Sequence, residues 1–374
     1  MKIKNNCPFC FLGCEFSLEK RLKNKNCDDL NDYLFQSSQK THPLIKGKQV
    51  SFDVAINKIR ELILRSHGIH LDGLGCDYDG LKSIFNFAEL HRTSIDHMEG
   101  ENIANLNLIS QRIGGHFCTL GEVFKRSDLI IFSIKEINVL ETFRNFLLKS
   151  NKKRKFLVIS NNKNKINHPD LISLTENVFF DLIKNINKKN YLEKRKIFLN
   201  HFKNSKFITF LCTFNQNHKL TEKIFSFVEN LNVSNKRASI LPINGKNNIS
   251  GAVQYSLWKT GYPLRVQFSD LGIEYNPLEF KSELLSENKE LQIYTCCFDY
   301  KKDIKMFKKN IFIGNPFFKH KKDFDVFIPA KIPGIHDKGL IFRGDGATAI
   351  KLNKIIDSDN KSVSEIFKSI TYIQ

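Results

Sequence analysis

The apolar positions of this chain alternate between helical spacing, about 3.6 residues per turn, and short continuous runs. In "VAINKIRELILRS" (54–66) they recur at helical spacing. "GIHLDGLG" (68–75) reads as a strand entering a glycine-rich turn, "DGLKSIFNFAELH" (79–91) as a helix, and "SIDHM" (94–98) as a short strand. "NLNLISQRIGG" (105–115) is a helix with a glycine stop, and "GEVFKRS" is a helical turn leading into "DLIIFSI" (128–134). That last run has the length and uniform apolarity of a buried parallel strand. Beyond it come the helix "VLETFRNFLLKS", the strand "KFLVIS", a long polar helix or helix pair over 179–204, and the strands "KFITFLCT" and "ASILPI". Those two strands flank an amphipathic, core-facing helix, "HKLTEKIFSFVENL". "LQIYTCCF", "IFIGNP" and "DVFIPA" are further strands. Strand and helix in alternation predict an α/β fold with mostly parallel sheets. Lys- and Asn-rich stretches at 151–155, 161–166 and 186–195 read as surface connections, and 244–282, with Trp258, Gly and Pro at irregular spacing, reads as site-bearing loop.

Composition adds a class. The chain has 374 residues, enough for two or three domains, and 33 Phe predict cores filled with rings. Its net charge of +19 attracts anions: nucleic acid, an anionic membrane face, an acidic protein or a polyanionic substrate. The lysines are interspersed with Asn throughout, which an AT-rich genome produces as readily as a binding surface does. No helix-turn-helix, zinc-knuckle or RNA-recognition signature accompanies them, so nucleic acid is the weaker partner. No apolar run approaches the roughly 20 residues that span a bilayer, and "MKIKNN" leads into cysteines instead of a signal sequence. The expected location is the cytoplasm, with most of the nine cysteines reduced.

Four of those cysteines come early. Cys7, Cys10 and Cys14 lie in "CPFCFLGC", and Cys27 follows. Two occupants suit the spacing: a [4Fe–4S] cluster on four thiolates, or a structural zinc in tetrahedral geometry. Zinc sites more often use paired C-x2-C hooks, and only the first hook has that spacing here. A retained loop without metal is the third reading. Cys76, Cys118, Cys212, Cys296 and Cys297 read as core packing.

"CPFCFLGC" followed by a fourth cysteine resembles the cluster loop of molybdopterin oxidoreductases. Three later stretches narrow the resemblance: "GGHFCTLGEVFKRSDLIIF" (114–132), "NNISGAVQYSLWKTGYPLRVQFSDLGIEYNP" (247–277) and "IPGIHDKGLIFRGDGATAIKL" (332–352). In this order they resemble the B-subunit family of formylmethanofuran dehydrogenase, and within it the version found in the methylotroph formyltransferase/hydrolase complex. The resemblance covers nearly the whole chain. It implies a small Cys-rich domain (1–50), an α/β domain (51–164, completed by 331–374) and an inserted α/β domain (165–330), both Rossmann-like. It also implies partners: the hydrolase (A), transferase (D) and C components of that complex, in the one-carbon route from formaldehyde to formate. A glutamate-rich methanofuran-type carrier would be steered by the basic surface, and turnover insensitive to ionic strength would count against that.

The resemblance also implies a loss. Working dehydrogenases carry a Cys–His pair after the "I-D" strand, and the chalcogen binds tungsten or molybdenum. Those positions align with Asn102 and Ile103. An amide is a poor ligand for such a metal, and Ile103 moves no proton. The family's Ser-Arg-Gly step falls on Ser269, Asp270 and Leu271, so a carboxylate stands where a cation would hold carbon dioxide or formate. The expectation is therefore a structural subunit with no catalytic residue and no W/Mo-pterin. Two alternatives remain: an active dehydrogenase subunit, and a basic nucleic-acid-associated protein. Three lesser features stay open. "GLGCDYDG" (73–80) is a phosphate or pterin cradle or an ordinary strand-to-helix turn. His67 and His70 form a metal pair only if they converge across a helix end. "FRGDG" fits a hairpin turn, with Asp345–Gly346 at positive φ and Arg343 pairing with Asp345 or with another subunit.

Overall fold

The computed structural model describes residues 3–18, 30–31, 34, 41–134, 136–150, 153–160, 171–185, 200–214, 218–234, 236–299 and 304–371. Two compact units account for the chain: residues 1–104 with 245–374, and residues 105–244. The class is α/β as the alternation predicts, but the inserted unit begins and ends earlier than the expected 165–330. The reason lies in strand pairing. Leu129–Ser133 and Lys155–Ser160 belong to one sheet with Phe207–Cys212, whereas Leu291–Cys296 hydrogen-bonds Ile69–Gly75 in the other.

Among the described residues of the first unit, nine strands form one mixed sheet. Its centre is five parallel strands in the spatial order Ser94–Ile95, Ile69–Gly75, Leu291–Cys296, Lys309–Gly314, Val326–Pro329. Numbered along the chain this is 2-1-3-4-5, a doubly wound order that reverses between Ile69–Gly75 and Leu291–Cys296. Antiparallel hairpins close both sides: Val266–Ser269 with Gly272–Tyr275, and Leu44–Ile45 with Lys48–Gln49. The helix Phe52–Leu64 is capped by Ser51 and buries Ala55, Ile56, Ile59 and Leu62. The helix Tyr78–His91 is capped by Asp77, and the carboxyl-terminal helix Val363–Thr371 packs on both.

The second unit has five parallel strands in the order Arg237–Pro242, Phe207–Cys212, Leu129–Ser133, Lys155–Ser160, Ile172–Thr175. Its helix His218–Val233 faces the core through Leu220, Ile224, Phe227 and Leu231, as its periodicity predicts. Rings fill the space as the Phe count suggests: Phe227 meets Phe179 at 5.9 Å and Phe202 at 5.6 Å between centroids. Of the long polar helix or helix pair expected over 179–204, the described residues show the helix Glu176–Asn185, after the strand Ile172–Thr175, and a helical stretch over 200–204. Most of the second half of that range lies outside the described residues.

The irregular segment 244–282 contains the helix Ile249–Thr260 and the hairpin Val266–Tyr275. Its buried face includes Ser250, Gly251, Ala252 and Ser256, residues too small to print an apolar stripe in the sequence. Among the described residues no helix is long and apolar enough to cross a membrane.

Candidate functional site

The amino-terminal cysteines sit on a hairpin. Ile3–Asn6 pairs antiparallel with Glu15–Leu18, and the turn between them carries Cys7, Cys10 and Cys14. Cys7 N–H donates to the Cys14 carbonyl at 2.9 Å, closing the loop. Cys7 is buried, and Cys10 and Cys14 are half-buried. The hairpin is fixed to the carboxyl-terminal part of its own unit. Asn5 donates to the carbonyls of Gly334 (2.9 Å) and Asn353 (2.7 Å), and Asn353 N–H returns a bond to Asn5 at 2.8 Å. Gly344 N–H donates to the Phe11 carbonyl at 3.0 Å, and a Cβ on Gly344 would run into the Phe11 ring. A small notch of about 10 Å³, room for roughly one water and partly open to solvent, lies here between Cys10, Phe11, Lys246, Ser250 and Phe342. Cys27 lies outside the described residues. Among those that are described, no three His, Cys, Asp or Glu side chains form a metal-holding group.

The second candidate is the end of the first unit's sheet where strand order reverses, the usual ligand crevice of such sheets. Asp72 pairs with Tyr294 and Gly75 with Cys296, so Gly73 and Leu74 together oppose Thr295. This is a β-bulge, with φ +87° at Gly73 and +53° at Leu74. Any Cβ on Gly73 would stand 2.5 Å from the Thr295 carbonyl oxygen, so glycine is required. The packing around Gly75 is close. A Cβ at Gly75 would meet Cys296 Sγ at 2.8 Å, Met98 Cε at 3.2 Å and Asn247 Cβ at 3.4 Å. Burial pushes the Cys76 and Cys297 thiols well above their usual range, so both stay protonated and chemically quiet.

The turn that could have cradled a phosphate carries its own acid. Asp77 accepts from Gly80 N–H at 3.2 Å and occupies the start of the helix Tyr78–His91. Burial raises its carboxyl to about 7. An anion would compete with this carboxylate, so the residues favour the ordinary strand-to-helix turn. His67 and His70 do not converge. His67 is exposed, while His70 is buried between Ser94 (2.8 Å) and Ser282 (3.0 Å), and burial lowers its ring to about 3.

Asn102 and Ile103 lie in the first turn of the helix Gly100–Ile113, both buried. Ile103 belongs to the apolar core of the first unit. Asp270 is exposed in the turn of the hairpin 266–275 and pairs with Arg92 at 2.5 Å. Arg343 clamps Asp345 through two bonds of 2.9 and 2.7 Å, and only Gly346, not Asp345, takes positive φ.

Sequence reasoning missed two groups. Asn247 and Asn248 are both left-handed, at φ +58° and +57°. Asn248 donates to the Cys76 carbonyl at 2.8 Å and accepts from Phe342 N–H at 2.9 Å, tying the bulged strand to the carboxyl-terminal hairpin. The signal was present: paired Asn before "ISGA" suits left-handed residues at a helix start. Arg265, itself at φ +74°, is buried with Asp96 at 3.1 Å and reaches Glu101 at 2.9 Å. Nothing local in the sequence announces that pairing.

No protein-family model matches this chain, and no curated protein does. Among solved structures it is similar to a chain in the X-ray crystal structure of the formyltransferase/hydrolase complex (FhcABCD) from Methylorubrum extorquens in complex with methylofuran. The TM-score is 0.75 at 15% identity, over 88% of this chain and 97% of that one. At such identity the likeness is one of fold.

Proposed function

We propose that this protein is the B-type component of a formyltransferase/hydrolase complex in one-carbon metabolism, a scaffold that has given up metallopterin redox chemistry. The fold match carries the reading: it spans nearly all of both chains and leads to the same kind of complex as four sequence motifs in order. The molybdopterin-oxidoreductase-like layout, the B position and partners of the A, C and D type belong to this proposal, as does a methanofuran-type carrier.

Two observations support the loss of redox chemistry. Ile103, aligned with the family's imidazole, is a packed core residue. At the strand reversal, Cys296, Met98 and Asn247 pack closely against Gly75. For the cysteine loop the proposal is a structural role, stapling the amino terminus, whether or not Cys27 completes a metal site.

Affinity purification of the full chain from its native cells tests the assembly. Partners of the hydrolase and transferase type should copurify in fixed ratio. Recovery with nucleic acid and no enzyme partners would overturn the proposal.

A further inference from the structure

The nine-stranded sheet ends on one side at Lys48–Gln49, an exposed strand with no neighbour beyond it among the described residues. A two-residue turn, Lys46 and Gly47, joins it to Leu44–Ile45, and both turn residues are left-handed, at φ +44° and +76°. Such a pair makes a type I′ hairpin, whose closing residues exchange both backbone bonds. Ile45 and Lys48 are that closing pair, and Val50 N–H donates to the Pro43 carbonyl at 3.1 Å. By the alternation of antiparallel ladders, Gln49 between them turns its N–H and carbonyl outward. Cations surround this edge. Lys46, Lys48, Lys319 and Lys322 are exposed, and among the described residues none of the four forms an ion pair. A Cβ on Gly47 would sit 3.7 Å from Lys322 Cβ, so the loop that carries Lys319 and Lys322 lies against the hairpin turn. Leu44, opposite Gln49, shares an apolar cluster with Phe318 and Phe324 of that loop, so the loop covers the Gln49 face of the hairpin and Lys48 projects on the other. Two acids accompany these lysines: Asp325 accepts from Asn310 N–H at 2.8 Å, and Asp323 lies 3.6 Å from His320.

We infer that this edge receives an extended, acid-rich segment of a partner protein by strand addition. The outward backbone groups of Gln49 select a polypeptide, because a nucleic acid or a lipid surface offers no strand to exchange bonds with them. Charge selects its composition. On an added strand, the residue opposite Lys48 comes within cross-strand range, where an opposite charge stabilises and a like charge destabilises. Acids on the strand's other face meet the loop that carries Lys319 and Lys322. The same lysines exclude a second copy of this chain, which would bring its own cations to the pairing. The edge is short, so the charges contribute affinity that a single pair of backbone bonds lacks. Such a segment fits here whether or not the chain is a B-type scaffold.

Fluorescence anisotropy of the full chain tests the site, with a labelled, capped peptide of Glu, Val and Thr as the probe. At low salt, binding is expected with a Kd of about 10 μM. It should weaken at moderate salt, because the charges are exposed. Lys48→Glu combined with Lys322→Glu should weaken it at least roughly tenfold. Gln49→Pro removes an outward donor at an edge position, where proline is tolerated, and should act likewise. Gln49→Ala keeps the backbone groups and should change little, as should Lys82→Glu on the helix Tyr78–His91. A proline-substituted peptide of the same charge should bind at least roughly tenfold more weakly, since it cannot form a strand. No binding at low salt, a site indifferent to Gln49→Pro, or equal affinity for the proline-substituted peptide or for oligo(U) RNA would overturn the inference.

Discussion

Arg265 sets its Nε 3.1 Å from Asp96 Oδ2, and both side chains are almost wholly buried. Burial lifts the Asp96 carboxyl to about 7 despite this partner. Removing the cation leaves an acid in the core without its counter-charge. Arg265→Met should therefore lose about 3–5 kcal/mol at pH 8. The loss should shrink at pH 5.5, where Asp96 is neutral. Urea unfolding at the two pH values reads both effects; equal losses would show that Asp96 is not the charge being exposed.

Asp77 gives a second pH dependence. Its folded carboxyl is raised to about 7 from an ordinary value of 3.8, because burial outweighs the favourable helix start. A raised acid binds its proton more tightly when folded. Its contribution is then fully present below pH 4 and fades as pH rises through 7. Compared with Asp77→Asn, the wild type should gain of order 1–2 kcal/mol between pH 8 and pH 4.5, allowing for partial solvent screening. Urea midpoints across that range provide the check; parallel curves would contradict the assignment.

Ile103 is core, and replacing it with the imidazole that the resemblance aligns there should be costly. Ile103→His should destabilise by about 2–4 kcal/mol, and Ile103→Val by about 0.5–1.5. Thermal unfolding of both variants decides. An imidazole tolerated as well as valine would mean that the position still opens onto a polar pocket.

The amino-terminal hairpin should loosen when its anchor is removed. Asn5→Ala deletes three bonds to Gly334 and Asn353, which corresponds to about 1–3 kcal/mol of local stability. Hydrogen exchange should accelerate at the amides of Cys7 and Gly344 and stay unchanged in the strand Leu129–Ser133 of the other unit. Uniform acceleration would indicate global unfolding instead.

Much of the sheet framework was legible because buried parallel strands announce themselves as apolar runs, as "DLIIFSI" and "LQIYTCCF" do. The unit boundary was not, because which strand pairs with which depends on contacts far apart in sequence, such as Leu291 with Ile69. The helix Ile249–Thr260 was hidden by its small buried residues. At the candidate site the aligned positions Asn102 and Ile103 could be named in advance, but their burial could not. Arg265 meets Asp96 across 169 residues, and no local pattern encodes that.

The most direct test of the scaffold reading is elemental analysis of the assembly purified through this chain, with tungsten, molybdenum, iron and zinc quantified per chain. The expected result is only trace tungsten and molybdenum in a complex that still carries its hydrolase and transferase partners. Tungsten or molybdenum near one atom per chain would contradict it.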